Sequence, residues 1–152
     1  MFFAYSEFVE ELVLNLLSEQ NKTMRQRVAA IIIKDDKILL IRRFKDGKEY
    51  FVFPGGGIEK GESPEEVIVR EAQEELGLKI EIEKLLFKIN NLGNDEFYFL
   101  VKEFSGTPKL GGPEKERMSK NNQYFIEWKK LSEISNLSNL YPEEARRKVE
   151  KF

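Results

Sequence analysis

The stretch Phe53–Leu78, which reads FPGGGIEKGESPEEVIVREAQEELGL, decides the fold of this 152-residue chain. Three consecutive glycines form a turn that leads into a helix rich in glutamate. Ser63 and Pro64, with Glu66 three residues after the serine, predict that the helix begins at about Pro64. Gly77 predicts its end, because glycine readily adopts the left-handed backbone found after a helix.

The predicted helix has two distinct faces. Four apolar side chains gather on one side and are predicted to anchor it in the core: Ile68, Val69, Ala72 and Leu76. Glu71, Glu74 and Glu75 gather on another side, because residues three or four apart are neighbours on a helix. Their mutual repulsion favours a bound cation, and Val67 beside them indicates that protein covers part of this acidic face. A solvated face is the alternative, since exposed like-charge pairs cost only about 0.2–0.5 kcal/mol.

The composition limits the chemistry that the chain can perform. It contains no cysteine and no histidine, so a metal would be held by oxygen ligands, which favours magnesium, manganese or calcium over zinc or copper. A proton acceptor would be a carboxylate, a lysine or a tyrosine. The 25 basic and 27 acidic residues give a net charge of −2, which argues against a protein that binds nucleic acid.

The N-terminal segment predicts an amphipathic helix, because apolar residues recur at three- and four-residue spacing within residues 5–18. Glutamates interrupt the segment and no basic region precedes it, so we expect neither a signal peptide nor a membrane span, and a cytoplasmic location. We predict two parts: residues 1–23, packed on the domain or at a homodimer contact, and one domain over residues 24–152.

The rest of the chain reads as strands, loops and one more helix. The pattern predicts strands at 25–33, 37–43, 51–53, 79–90, 96–104 and 123–129. The first two would form a hairpin about Asp35-Asp36, and their continuous apolar runs indicate that helices cover both faces of the sheet. Loops are predicted at 44–50 and 105–122, and a last helix opens at Pro142. The expected fold class is therefore α/β.

The glycine turn and the acidic helix together resemble the signature of the Nudix hydrolase family. The positions in register are Gly56, Glu62, Arg70, Glu71, Glu74, Glu75, Gly77 and Leu78. Ala72 stands where a bulkier aliphatic residue is usual, which concerns packing rather than chemistry. The resemblance implies an α/β/α sandwich with a mixed β-sheet, and it extends more weakly over residues 25–131.

The resemblance also implies an activity. Family members hydrolyse a phosphoanhydride bond of a nucleoside diphosphate linked to another group, which predicts a small nucleotide substrate, with Mg²⁺ as the cofactor and Mn²⁺ as a substitute. The metal ligands that it implies are Gly55, Glu62, Glu71, Glu74 and Glu75. Arg70 would hold the glutamates by ion pairing, so Arg70, Glu71 and Glu74 are predicted to be catalytic. A non-catalytic nucleotide-binding or regulatory module on the same fold is the alternative.

The general base has three candidates. Family members use either a glutamate of the signature, here Glu71, or one from a downstream loop. In this chain the loop offers Glu114 and Glu116. Glu114 is preferred of the two, because the glycines and the proline before it would fix its backbone, although both could belong to a charged surface loop.

Three residues are candidates for contact with the substrate. An arginine at the position of Arg43 can contact a phosphate in this family, whereas its neighbour Arg42 would point to the opposite face of a regular strand. Phe51 and Phe53 could stack on a base. A place in the core is the alternative for either ring.

Overall fold

The computed structural model describes residues 9–14, 16 and 25–152, apart from the side chains of Pro113 and Glu114. Its strands are β1 (Arg27–Ile31), β2 (Ile33–Lys34), β3 (Lys37–Lys45), β4 (Lys48–Val52), β5 (Gly55–Gly57), β6 (Lys79–Asn91), β7 (Asn94–Ser105), β8 (Asn122–Lys130) and β9 (Leu140–Tyr141). Its helices are α1 (Pro64–Leu76), α2 (Gly112–Glu116) and α3 (Glu143–Val149), with a 3-10 helix at Leu131–Asn136.

The strands form two sheets that both mix parallel and antiparallel pairs. The first has the order β5-β1-β7-β6, in which β1 runs parallel to β7. The second has the order β2-β3-β4-β9, with β8 paired to β3 and β9 parallel to β4. The expected α/β class and mixed sheet are therefore confirmed.

The core lies on both faces of these sheets. In β1, Val28 and Ala30 face a cluster that includes Ile68 of α1, whereas Ala29 and Ile31 face a second cluster that includes residues of α3. All four of these β1 side chains are at most 5% exposed. The continuous apolar runs of the sequence thus reflect strands that are covered on both sides, as predicted.

Helix α1 has the predicted ends. The Ser63 side chain accepts a hydrogen bond from the Glu66 backbone N–H at 3.3 Å. Gly77 follows the helix with a φ of 64°, the left-handed conformation in which a Cβ atom would be strained.

The predicted anchor of α1 was wrong at one position. Val69 is 41% exposed, whereas Val67 is fully buried. The helix is rotated so that Glu71 and Glu75 face the protein instead of the solvent, and both are partly buried. The apolar anchor is therefore Val67, Ile68, Ala72 and Leu76.

The loop predicted at 44–50 is instead a hairpin. Strand β3 continues to Lys45 and β4 starts at Lys48, so that only Asp46 and Gly47 connect them. Both residues have positive φ angles, 51° and 79°, as required in the two-residue turns that join twisted strands. The Asp-Gly pair is the sequence signal for such a turn, and the strands on either side were therefore predictable.

Two further predictions about the strands need correction. The turn at Asp35-Asp36 is confirmed, but it joins only β2 to β3, because β1 pairs with β5 and β7 in the other sheet. The apolar run at 25–33 therefore contributes one strand to each of the two sheets. The predicted loop at 105–122 contains the short helix α2.

The described part of the N-terminal segment is helical at residues 9–14 and 16. Its large apolar side chains are 40% to 66% exposed: Val9, Leu12, Val13, Leu14 and Leu16. Residues 1–8, 15 and 17–24 lie outside the described residues, so the packing of residues 1–23 and the homodimer contact stay predictions. Within the described ranges, no helix has the length and apolar character needed to cross a membrane.

Tyr98 forms a buried polar pair that gives a testable pH dependence. Its hydroxyl donates a hydrogen bond to Glu96 Oε1 at 3.0 Å, and both residues are at most 5% exposed. Burial, together with the charge of Glu96, raises the pKa of Tyr98 above its usual value. Above about pH 10 the unfolded chain would lose this proton while the folded chain keeps it, so the free energy of unfolding falls as the pH rises.

We therefore expect Tyr98→Phe to flatten this alkaline decline, by at most about 1.4 kcal/mol per pH unit. At neutral pH the variant should be less stable by about 1–3 kcal/mol, because Glu96 loses its buried partner. Urea unfolding from about pH 7 to about pH 11 measures both effects. Tyr141→Phe, at a residue 50% exposed, is the control, and an identical alkaline slope in both variants would contradict the prediction.

Candidate active site

The glycine strand β5 lies between β1 and helix α1. It pairs antiparallel with β1, so that Gly55 is opposite Ala29. A Cβ atom on Gly55 would overlap the carbonyl oxygen of Val28. A Cβ atom on Gly56 would overlap the Glu71 carboxyl group, with both carboxylate oxygens within 2.8 Å. Glycine is thus needed at both positions, since it allows the main chain and a carboxylate to approach closely.

Arg70 joins three of the glutamates. Its guanidinium contacts both oxygens of Glu62 at 3.1 Å, Glu71 Oε1 at 3.2 Å and Glu74 Oε2 at 3.3 Å. Desolvation lowers the pKa of Arg70, but its hydrogen bond to Glu62 and the charges of the three carboxylates outweigh this effect and raise the pKa above its usual value. Arg70 is therefore a fixed cation at the centre of an acidic cluster.

An open cleft with two connected parts lies beside this cluster. The glutamate part, of about 400 Å³, is lined by β5, Glu71, Glu75 and four arginines. The aromatic part, of about 230 Å³, is lined by Arg43, Phe53 and Tyr124, among others. Both parts share Arg27, Gly55, Glu75 and Arg117. A ligand could therefore extend from one part into the other.

The glutamates named from the sequence separate into two groups. Glu71 and Glu75 line the glutamate part, and Glu75 also lines the aromatic part. Glu62 and Glu74 are drawn to Arg70 outside the lining, and the Glu74 side chain is 50% exposed. Among the described residues, no three acidic side chains are arranged to hold a metal ion, because Arg70 occupies the position where Glu62, Glu71 and Glu74 converge.

Arg43 is fixed in the aromatic part of the cleft. Its Nη2 donates hydrogen bonds to the Tyr124 hydroxyl at 2.7 Å and to Asn122 Oδ1 at 3.1 Å. Arg42 lies on the other side of the strand, where it contacts Glu127 at 3.4 Å and packs over Phe125. The prediction that these two arginines face opposite ways is confirmed.

The remaining candidates are found in different surroundings. Phe53 is 3% exposed and lines the aromatic part of the cleft. Phe51 is equally buried and lines neither part. Both rings belong to the second core cluster, where Phe53 packs edge-on against Tyr98, which agrees with the alternative of a core role. Glu116 is exposed and also lines neither part. The Glu114 side chain lies outside the described residues.

Sequence reasoning missed three arginines of the cleft. Arg25 and Arg27 precede or begin β1, and Arg117 follows α2. The Arg25 guanidinium lies against Gly57, where an added Cβ would come within 2.8 Å of Nη2. The sequence offered only a weak signal, two arginines before a buried strand, because the pairing of β1 with β5 that brings them to the cleft is not local.

Arg70 offsets the electrostatic repulsion among the carboxylates of Glu62, Glu71 and Glu74, and its replacement would leave that repulsion uncompensated. We expect Arg70→Gln to lower turnover at least tenfold, which corresponds to about 1.4 kcal/mol, because the guanidinium no longer holds the three glutamates in place. Steady-state rates would measure this. Arg147→Gln is the matched control, since Arg147 contacts Glu143 at 2.7 Å on the exposed side of α3. Equal turnover in both variants would contradict the expectation.

Known proteins resemble this chain over most of its length. The NUDIX domain family matches residues 24–150. An ADP-ribose pyrophosphatase from Methanocaldococcus jannaschii is 38% identical over 96 residues, which cover 59% of this chain and 57% of that protein. An 8-oxo-dGTP diphosphatase from Escherichia coli is 34% identical over 100 residues, which cover 60% of this chain and 78% of the relative. The match thus spans little more than half of the archaeal protein.

Solved structures share the fold. The Escherichia coli ORF135 protein has a TM-score of 0.64 at 27% identity, covering 84% of this chain and 86% of the other. A MutT NUDIX hydrolase from Burkholderia pseudomallei has a TM-score of 0.64 at 26% identity, covering 83% and 95%. Together with the glycine strand and the acidic cluster around Arg70, the match over residues 24–150 shows that this chain belongs to the Nudix hydrolase family.

Proposed function

We propose that the chain is a Mg²⁺-dependent hydrolase that cleaves a phosphoanhydride bond of a nucleoside diphosphate linked to another group. The observation that carries this proposal is the contact between Glu71 and the glycine strand at Gly56. It brings a carboxylate, the main chain of β5 and Glu75 to one cleft of about 400 Å³. Clefts of this size, with a few convergent polar groups, are typical of small-molecule sites.

The donor set of the cleft fits a hard divalent cation. Glu71 and Glu75 offer carboxylate oxygens, the main chain of Gly55 offers a carbonyl, and no cysteine or histidine exists in the chain. These three residues would hold the ion, and Arg70 would orient Glu71 while Glu62 and Glu74 balance its charge. When bound, the ion would neutralise phosphate charge and make a bound water more acidic.

The reaction that we propose is hydrolysis. Water attacks one phosphorus atom, the bond from that phosphorus to the bridging oxygen breaks, and the bridging oxygen leaves with the second phosphate. One proton of the water passes to a general base. Among the signature and loop candidates, Glu71 is better situated than Glu116, because its side chain is 12% exposed at the cleft while Glu116 lines neither part. Positioning and charge neutralisation dominate such reactions.

The relatives support a nucleotide as the substrate. Their names specify an ADP-ribose pyrophosphatase, an 8-oxo-dGTP diphosphatase and, in a Nitratiruptor protein 41% identical over 68 residues, an RNA pyrophosphohydrolase. Each of these activities breaks a bond between phosphates. The names of the three proteins share a bond between phosphates, although their substrates differ. We therefore propose a reaction class for this chain and not a particular nucleotide.

A substrate panel tests the proposal. Nucleoside triphosphates, ADP-ribose, sugar nucleotides and dinucleoside polyphosphates would be incubated with Mg²⁺ or with excess chelator, and products separated by chromatography. We expect turnover of at least one class with Mg²⁺ and none with chelator. Hydrolysis in ¹⁸O-labelled water then identifies the phosphorus that is attacked, since the label remains on it.

The alternative, a non-catalytic nucleotide-binding module, has a different outcome in the same panel. Such a module would bind nucleotides, as calorimetry would detect, and leave every compound intact with Mg²⁺ or Mn²⁺. That combination would refute the hydrolase. Glu71→Gln provides the catalytic control: a hydrolysis rate that persists in this variant at the wild-type level would point to a contaminating enzyme.

A further inference from the structure

The cleft contains more positive charge than the acidic cluster requires. Four arginines and three glutamates line its glutamate part, and three arginines with one glutamate line its aromatic part. Arg70 is engaged by carboxylates and Arg43 by Tyr124 and Asn122. The remaining positive charge of the cleft is therefore carried by Arg25, Arg27 and Arg117.

Arg27 and Arg117 differ from the others by their position. They are the only cationic residues, among those described, that line both parts of the cleft. Both are exposed, and neither forms a salt bridge with a described acidic side chain. Their guanidinium groups are thus available to a ligand that passes between Glu75 and the aromatic part, and guanidinium suits the bidentate recognition of phosphate.

The aromatic part is already ordered. Tyr124 is 8% and Phe53 3% exposed, and the Arg43 guanidinium lies 4.3 Å from the centre of the Tyr124 ring. Fixed side chains lose little conformational freedom when a ligand binds. A planar base has the Tyr124 ring and the Arg43 cation to contact there, because the Phe53 ring packs against Tyr98 in the second core cluster. Its attached phosphates would extend toward Arg27 and Arg117.

We propose that Arg27 and Arg117 form a phosphate-binding pair that makes this enzyme select nucleoside triphosphates over nucleoside diphosphates bonded to a sugar. This inference rests on the proposed hydrolase function. A triphosphate carries a further ionised phosphate where the sugar conjugate carries a neutral group. Two guanidiniums that form no salt bridge with a described acidic side chain favour the ligand with the larger negative charge.

The matched pair ATP and ADP-ribose tests this inference, because the two ligands share their base and first two phosphates. KM and kcat would be measured with Mg²⁺ for wild type, Arg27→Gln, Arg117→Gln and the double variant. We expect each single substitution to raise the KM for ATP about tenfold, equal to the loss of one charge-assisted hydrogen bond. The KM for ADP-ribose should change less than about threefold, and kcat should change little for both.

Lys102→Gln is the charge-matched control. Lys102 is 57% exposed, contacts Glu81 at 3.8 Å and lines neither part of the cleft, yet its substitution also removes one positive charge. It should leave both KM values unchanged. Thermal unfolding of every variant would verify that folding is preserved.

Binding measured by calorimetry separates this inference from the hydrolase proposal. A non-hydrolysable methylene analogue of ATP should bind wild type, and more weakly by about tenfold in each arginine variant, whether or not ATP is cleaved. Three results would each overturn the assignment: equal increases in KM for ATP and ADP-ribose in the arginine variants, an unchanged affinity of these variants for the analogue, or no binding of the analogue by wild type. If wild type hydrolyses a substrate and the arginine variants have the same KM values as wild type, the hydrolase proposal holds and the phosphate-binding pair is refuted.

Discussion

Glu75→Gln is expected to reduce kcat by about a thousandfold, or about 4 kcal/mol of transition-state stabilisation, on the best substrate. Glu75 lines both parts of the cleft and also a small gap behind it, next to Gly55 and Glu71. Glutamine keeps the shape of the side chain and removes its negative charge. The fold should therefore persist, while the site loses a ligand for a divalent cation.

The effect on turnover can be separated from an effect on metal affinity. Turnover would be measured over a series of Mg²⁺ concentrations, and Mn²⁺ binding by electron paramagnetic resonance. We expect weaker Mn²⁺ binding together with the loss of kcat. Glu74→Gln should reduce kcat less, because the Glu74 side chain is half exposed and contacts Arg70 rather than lining the cleft.

Glu65→Gln supplies the control for charge on the same helix. Glu65 lies in the first turn of α1, is exposed and lines neither part of the cleft. Its substitution should leave kcat and Mn²⁺ binding unchanged. A Glu75→Gln variant that retains turnover within about threefold of wild type, about 0.7 kcal/mol, would show that Glu75 has no part in the chemistry.

The features that were predictable from the sequence are those that depend on neighbours in the chain. The ends of α1 follow from Ser63 and Gly77, whose effects act within one helical turn. The gathering of glutamates on one side of α1 follows from helical spacing alone. The hairpin at Asp46-Gly47 also follows from a local rule, because an Asp-Gly pair favours a two-residue turn. The prediction of a loop over 44–50 was wrong because it did not apply that rule.

Features set by the packing of distant segments were not predictable in the same way. Val69 is exposed because α1 turns Glu71 toward β5, and this is possible only where Gly56 leaves room. Periodicity alone places apolar residues inside and charged residues outside, so it cannot anticipate such an inward carboxylate. Arg27 reaches the cleft because β1 lies between β5 and β7, a pairing between segments far apart in the sequence.

Alanine substitutions at the two neighbouring glycines of β5 are expected to have different effects, one on stability and the other on turnover. Gly55→Ala would drive a Cβ atom into the Val28 carbonyl of the adjacent strand. The main chain of β1 cannot move without separating the sheet, so we expect a loss of at least about 3 kcal/mol in the free energy of unfolding. Urea unfolding would measure it, and little folded protein would remain if the native stability is ordinary.

Gly56→Ala meets the end of a side chain instead of the main chain. The Glu71 carboxylate can swing away from the new methyl group, so the free energy of unfolding should fall by less than about 1.5 kcal/mol. Turnover should nevertheless fall about a hundredfold, because a displacement of about 1 Å at a reacting group has that effect. Gly47→Ala is the control: its φ of 79° makes alanine cost about 1 kcal/mol, with no atom within 4 Å and no change in turnover. Equal stability losses at Gly55 and Gly56, or full turnover in Gly56→Ala, would mean that the close approach of Glu71 to the glycine strand is not what makes this site work.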